Sequence, residues 1–387
     1  MKLHYLIFMY LTSLIGISTQ AQTYNAYHNT IASGCSQSSV DTNLQEYVNF
    51  GIKSVGSTAI QNSLDWLKAK YQSYGYTDIV EQEFTASGQQ TKNLIITKQG
   101  STYPNTYVIV DAHYDSINGV GANDNGSGTV ALLEMAKQMA NIPTAYSIKF
   151  IHFSAEEIGL IGSQYYVDNT VIPQNMDIKL VLNIDEIGGI NGQTNDTIVC
   201  ERDTGNPSSN NAQSSVVTNQ LATCIGFYST LNTEISYAYS SDYMTFENNG
   251  EIITGLFEKN QTPYRHTPND IIANMDTVYV YEVIKGATGA LAFFAEADQA
   301  LSTNSEVFSN LDVYPIPADK KITVYFGKTV NEVRVSIFDI NGKTVFNKFY
   351  SNIENSKTIN TEKLQSGIYV MTIDIDGIKK NQKIQIK

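Results

Sequence analysis

Three β-branched, apolar runs end the same way, in an acid or a histidine near small residues, and that repeated ending constrains the fold more than any other property of the chain. Residues 107–112 lead to His113 and Asp115, residues 147–153 lead to Glu156 and Glu157, and residues 179–184 lead to Asp185. Short apolar runs bounded by turn residues read as buried strands. The intervening stretches carry helix formers, as at 129–136, or amphipathic spacing, as at 60–74 and 277–297. This alternation predicts an α/β fold with a largely parallel central sheet flanked by helices. In such a sheet the carboxyl ends of the strands open on one edge, where polar residues far apart in sequence meet.

The residue types at that edge suit cations. Period two puts His113 and Asp115 on one face of their strand, so Asp115 is placed to hold the far ring nitrogen of a ligating His113. Gly121-Ala122-Asn123-Asp124-Asn125-Gly126-Ser127-Gly128 precedes a helical segment. A glycine-rich loop at a helix start can cradle phosphate. Here the Gly-x-x-x-x-Gly-Lys pattern is missing and an acid sits at the centre, so Asp124 reads as a carboxylate shared by two cations. The neighbours Glu156 and Glu157 diverge at a strand end, which lets one bind metal while the other faces water. His266 lies in a loop four residues before Asp270. The chain has five histidines. His4 lies in a leader-like segment, His28 near the mature start and His152 inside a strand, leaving His113 and His266 as the best-placed ligands.

Asp124, Glu157 and Asp185 offset three of the four positive charges of two Zn²⁺ ions. The oxygen and nitrogen donor set suits zinc, and also manganese or cobalt. Two such ions acidify water and clamp a tetrahedral intermediate, with Glu156 as the proton acceptor.

Five motifs carry a resemblance: His113-Tyr114-Asp115-Ser116, Gly121 to Gly128, Ser154-Ala155-Glu156-Glu157-Ile158-Gly159, Asn183-Ile184-Asp185-Glu186-Ile187-Gly188 and His266-Thr267-Pro268-Asn269-Asp270. In this order over residues ~40–300 they resemble the secreted bacterial zinc aminopeptidases of peptidase family M28. The resemblance implies that His113, Asp124 and Glu157 hold one zinc, that Asp185, Asp124 and His266 hold the other, and that Glu156 is the base. It also implies a cis peptide bond after Asp124. Ser241-Asp242 resembles the family's Ser-Asp pair in a loop that shapes the substrate pocket, with Tyr243 where a histidine is frequent. Asp242 and Tyr239 are therefore substrate-site candidates, and Tyr237 and Phe246 further ones. The family often accepts leucine-like first residues.

Lys2 followed by an apolar stretch from Tyr5 to Ile17 and a small-residue site at Ala21 reads as a secretory leader over residues 1–21. No later apolar run is long enough for a membrane span, so none is expected in the mature chain. Cys35, Cys200 and Cys224 are the only cysteines. An odd number leaves at least one unpaired within the chain, and Cys200 with Cys224 is the expected disulfide.

Composition and charge change near 301. Residues 1–301 carry net −16 and residues 302–387 carry net +3. We therefore expect a catalytic domain at 22–301 and a second domain at 302–387. The acidic balance of the first speaks against nucleic acid as a partner. Short alternating runs and turns such as Asn341-Gly342 make the second a small all-β sandwich. Tyr314-Pro315-Ile316-Pro317-Ala318, residues 338–343, residues 364–370 and a lysine-rich last strand resemble the C-terminal sorting domain of type IX secretion cargo. That resemblance implies the type IX secretion machinery as a partner and export to the cell surface or beyond.

The expected activity is removal of N-terminal residues from peptide substrates. A carboxypeptidase, a one-zinc glutaminyl cyclase and a metal-free binding protein are the alternatives.

Overall fold

The structure, a computed structural model, describes residues 22–298, 311–375 and 378–387. The leader segment 1–21 and the expected boundary at 301 lie outside them. The first body contains an eight-stranded sheet made of β1 (Ile79–Ala86), β2 (Gln89–Lys98), β3 (Tyr103–His113), β4 (Tyr146–Phe153), β5 (Asp177–Ile184), β6 (Thr197–Arg202), β7 (Asn232–Tyr237) and β8 (Ile253–Glu258). Its helices are α1 (Ala26–Ala32), α2 (Gln37–Val48), α3 (Thr58–Ser73), α4 (Gly126–Met139), α5 (Ile161–Tyr166), α6 (Ile172–Gln174), α7 (Asn211–Tyr228), α8 (Tyr243–Asn248) and α9 (Thr277–Phe294).

The strand order is β1-β2-β4-β3-β5-β8-β6-β7. The middle four strands, β4-β3-β5-β8, are mutually parallel, while β2 joins β4 and β6 joins β8 antiparallel. The sheet is thus mixed, with a parallel centre. Parallel strands are covered on both faces, and the side-chain period of two divides them accordingly. Val108, Val110 and Ala112 enter the larger core with α2, α4, α7 and α9, while Ile109 enters the smaller core with Tyr166 and Phe246. The chain leaves β3 for β4 on one side and later returns to β5 on the other. The carboxyl end of β3 is therefore the topological switch point, where a crevice opens.

Helix starts are fixed locally. The Asn125 side chain accepts from the Gly128 amide at the start of α4, and Asp276 accepts from the Val278 and Tyr279 amides at the start of α9. Gly128 is required because a Cβ there would lie 2.2 Å from the Ile184 carbonyl oxygen. The three cysteines are free, buried thiols. The Cys200–Cys224 disulfide is not formed: Cys200 packs on β6, and the Cys224 sulfur on α7 accepts from Gln22 Nε2. They fill core space as small apolar groups.

The second body has two antiparallel sheets, built from β9 (Asp312–Tyr314), β10 (Lys321–Tyr325), β11 (Val330–Phe338), β12 (Thr344–Ile353), β13 (Ser356–Asn360), β14 (Gly367–Ile375) and β15 (Ile378–Ile386). The orders are β13-β10-β9 and β12-β11-β14-β15. Ile322, Val324 and Ile359 of the first sheet share one core with Val335, Met371 and Ile384 of the second. This is the two-layer sandwich the alternating pattern predicts. Among the described residues no helix is long and apolar enough to cross a membrane.

Leu291 on α9 is fully buried and Val278 on the same helix is 57% exposed. Leu291→Ala should cost about 2–5 kcal/mol and Val278→Ala under about 0.5 kcal/mol in urea unfolding. His152, inside β4, is fully buried with Nε2 2.8 Å from the Tyr71 hydroxyl, and burial pushes its pKa down to about 3. Below the ordinary value of 6.5 the unfolded chain takes up a proton that the native ring refuses. Its contribution is intact above pH 6.5 and is lost as pH falls toward 3. His152→Gln should flatten the acid-side fall in stability over that window; an unchanged slope contradicts the assignment.

Candidate metal centre

The strand ends bring the predicted residues together. His113 ends β3 with its side chain buried, and Thr129 Oγ1 donates to its carbonyl oxygen. Its Nε2 lies 3.2 Å from Asp124 Oδ1, 3.4 Å from Asp185 Oδ1 and 3.8 Å from Glu156 Oε2. On the other side, His266 Nε2 lies 3.0 Å from Asp124 Oδ2 and 2.8 Å from Glu157 Oε2. The two imidazoles thus address opposite oxygens of one carboxylate. The distances pair His113 with Asp185 and His266 with Glu157. The resemblance joined His113 to Glu157 and Asp185 to His266, and donor atoms of His113, Asp124 and Glu157 also lie within 4.8 Å of one another. The 260–270 loop turns at His266, whose φ is +54°, with that ring beside Glu157.

Backbone donors hold the acids in place. Asp270 accepts from the amides of Asn123 (2.8 Å) and Asp124 (3.0 Å), clamping the glycine-rich loop. Gly121, at φ +61°, lets this loop fold so tightly that a Cβ would meet the Asp124 carbonyl oxygen at 2.4 Å. The Asp124–Asn125 peptide is cis. His113 Nδ1 lies 3.3 Å from the Asp115 carbonyl oxygen and 3.7 Å from its Oδ1, and the Asp115 carboxylate accepts from the amides of Glu156 (3.2 Å) and Glu157 (3.3 Å). It therefore orients both a ring and the acid pair. Ser241 Oγ donates to Asp185 Oδ2 at 2.7 Å, and Glu258 accepts from Asn123 Nδ2 and the Gly189 amide. The supporting role of Glu258 had no local signature; Asp270 was visible by its spacing from His266 and Ser241 by the Ser-Asp pair, though not their partners.

The electrostatics call for cations. Burial, then Asp124 nearby, pushes Glu157 up to about 9; burial and the acids Asp124 and Asp185 do the same to Glu186. Burial raises Glu156 well above its usual range, with His113 opposing. Against burial, the two imidazoles hold Asp124 below the usual range, and Glu156 and Asp185 lift His113 well above its own. Glu157 Oε1 and Asp185 Oδ1 receive no hydrogen bond. Sets of donor atoms from His113, Asp124 and Glu157, from His113, Glu156 and Asp185, and from Asp124, Asp185 and Glu186 each lie within 4.8 Å of one another. Acceptors without donors, drawn toward common points and mixed with imidazole nitrogen, fit zinc.

Two of the substrate candidates are buried. Asp242 is fully buried and feels the charges of His113, Asp111 and Asp115. Phe246 is core, packed on Phe153 and Tyr166. Tyr243 is also buried and donates to Glu201 Oε2 at 2.6 Å. Tyr237 and Tyr239 are exposed, and the Tyr239 hydroxyl feels Glu201, Arg265, Glu186 and Asp185.

The sequence model of Peptidase family M28 matches residues 93–288, and that of the Secretion system C-terminal sorting domain matches residues 312–387. Aminopeptidase YwaD of Bacillus subtilis is 33% identical over 220 residues, 51% of this chain and 46% of that protein. Leupeptin-inactivating enzyme 1 of Streptomyces exfoliatus is 38% identical over 146 residues, 37% of this chain and 33% of that protein. The chain thus spans under half the length of these two relatives. Among solved structures, the LapA aminopeptidase of Legionella pneumophila superposes with a TM-score of 0.61 at 22% identity, covering 73% of this chain and 79% of that one. The likeness is one of fold.

Asp270→Ala removes both amide acceptors behind Asp124. Zinc affinity should fall about 10- to 100-fold, read by competition with a chromogenic chelator. Affinity unchanged within twofold contradicts the clamp.

Proposed function

The chain belongs to peptidase family M28, and from that premise we propose that it is an exported zinc aminopeptidase that removes first residues from peptides. The observation that carries this is the pair of imidazoles aimed at opposite oxygens of Asp124, with Glu156 beside one of them. Two zinc ions suit the donor set: His113 and Asp185 for one, His266 and Glu157 for the other, Asp124 for both. When bound, such ions act as Lewis acids that lower the pKa of water and polarise a carbonyl.

The chain's own residues supply the rest. Glu156 Oε2 takes the proton of the attacking water and passes it to the leaving nitrogen, a transfer worth about 10²–10⁴ in rate. Asp115 fixes the His113 ring and, through two amides, the direction of Glu156. Asp270 and Ser241 keep Asp124 and Asp185 from turning away as their charges are compensated. The sorting domain at 312–387 supports export by type IX secretion, consistent with the leader expected at 1–21.

Glu156→Gln should lower kcat by about 10²–10⁴ while zinc content is retained. Substantial residual turnover contradicts the base assignment. Dipeptides with a blocked amino end should resist cleavage and those with a blocked carboxyl end should not. The opposite pattern identifies a carboxypeptidase, and ammonia release from N-terminal glutamine a cyclase.

A further inference from the structure

Arg265 immediately precedes His266 and leaves 51% of its side chain exposed at the rim of the centre. Its Nη1 donates at 3.0 Å to Glu186 Oε1, and Glu186 is buried, next in sequence to Asp185. Among the described residues the guanidinium makes no other hydrogen bond, so its remaining N–H groups face outward. The base of this pair lies deep in the site: a Glu186 oxygen comes within 4.8 Å of carboxylate oxygens of Asp124 and Asp185. Beside it stands Tyr239, half exposed, its ring edge-on to Phe257 at 6.4 Å and its hydroxyl close enough to feel Arg265.

A guanidinium held from behind by a buried carboxylate has already lost rotamer freedom, and it presents a flat row of donors matched to a second carboxylate. Because Glu186 adjoins Asp124 and Asp185, the guanidinium seated on it borders the place where the first residue of a peptide would be held at the proposed metal centre. An acidic side chain would bond to it. A leucine side chain would strip water from charged N–H groups and return no acceptor. The chain's net charge of −13 opposes anionic ligands at long range, but salt screens that field beyond about 8 Å and contact donors prevail nearby.

We infer that Arg265, seated on Glu186 and flanked by Tyr239, is the specificity-determining residue and selects peptides whose first residue is glutamate or aspartate. The inference rests on the aminopeptidase reading above and departs from the leucine-like preference common in the family.

The test compares glutamyl, aspartyl, leucyl and lysyl p-nitroanilides on the zinc-loaded full chain, with zinc content and melting temperature recorded for every variant. The glutamyl substrate should exceed the leucyl one by about tenfold or more in kcat/KM, mainly through KM. Arg265→Met should lower glutamyl turnover about 10- to 100-fold and raise the leucyl rate. Because that change leaves Glu186 unpaired, the double variant Glu186→Gln, Arg265→Met removes both charges and should show the same reversal. A wild-type preference for leucine that neither variant alters overturns the inference while leaving the aminopeptidase reading intact. If none of the four is cleaved, that reading fails. Calorimetric titration of free L-glutamate and L-leucine then decides the Arg265 site. Tighter glutamate binding that is lost in Arg265→Met supports it, and equal affinities overturn it.

Discussion

Mutual repulsion of buried carboxylates is the constraint on which the structure depends. Asp124, Glu156, Glu157, Asp185 and Glu186 crowd the ends of three neighbouring strands, largely out of water. Burial first and neighbouring acids second disfavour their charged forms, so that Glu157 and Glu186 are each pushed up to about 9. The protein meets this with donors fixed before any cation arrives. Amides of Asn123, Asp124, Glu156 and Glu157 bind Asp270 and Asp115, which turns supporting acids into clamps and leaves the central oxygens without donors. A site kept short of positive charge by rigid scaffolding is one that dications complete.

The sheet topology makes this crowding possible. Departure from β3 to opposite sides opens the crevice, and the parallel strands beside it aim their carboxyl ends into it. His113 ends β3 and Asp185 directly follows β5, Asp124 lies on a loop joined to the start of α4, and His266 on a loop returning from β8. Residues 153 positions apart in sequence, from His113 to His266, meet around one aspartate. The antiparallel strands at either side extend the sheet without entering the centre.

What was legible in sequence was local. Strand ends at His113, Phe153 and Ile184 could be read because β-branched runs stop at polar or glycine-rich turns, and ligand types could be read because few histidines exist. The distances between these side chains could not, since they depend on how the loop bearing His266 folds back, and no spacing encodes that path. The burial of Asp242 and Phe246 was hidden for the same reason: it follows from the packing of α8 against β5 and α5. The polar strand β13 went unseen because Ser356-Lys357-Thr358-Ile359-Asn360 carries a single apolar residue and is defined by its pairing with β10. In Asp185-Glu186 the second acid was silent in sequence, as its partner Arg265 lies 79 residues away.

The central claim is that two cations share Asp124. Crystals of the zinc-loaded protein, measured on both sides of the zinc absorption edge, test it most directly. Two anomalous peaks per chain are expected, one between His113 and Asp185 and one between His266 and Glu157, with Asp124 touching both. A single peak, or zinc bound away from Asp124, would contradict it.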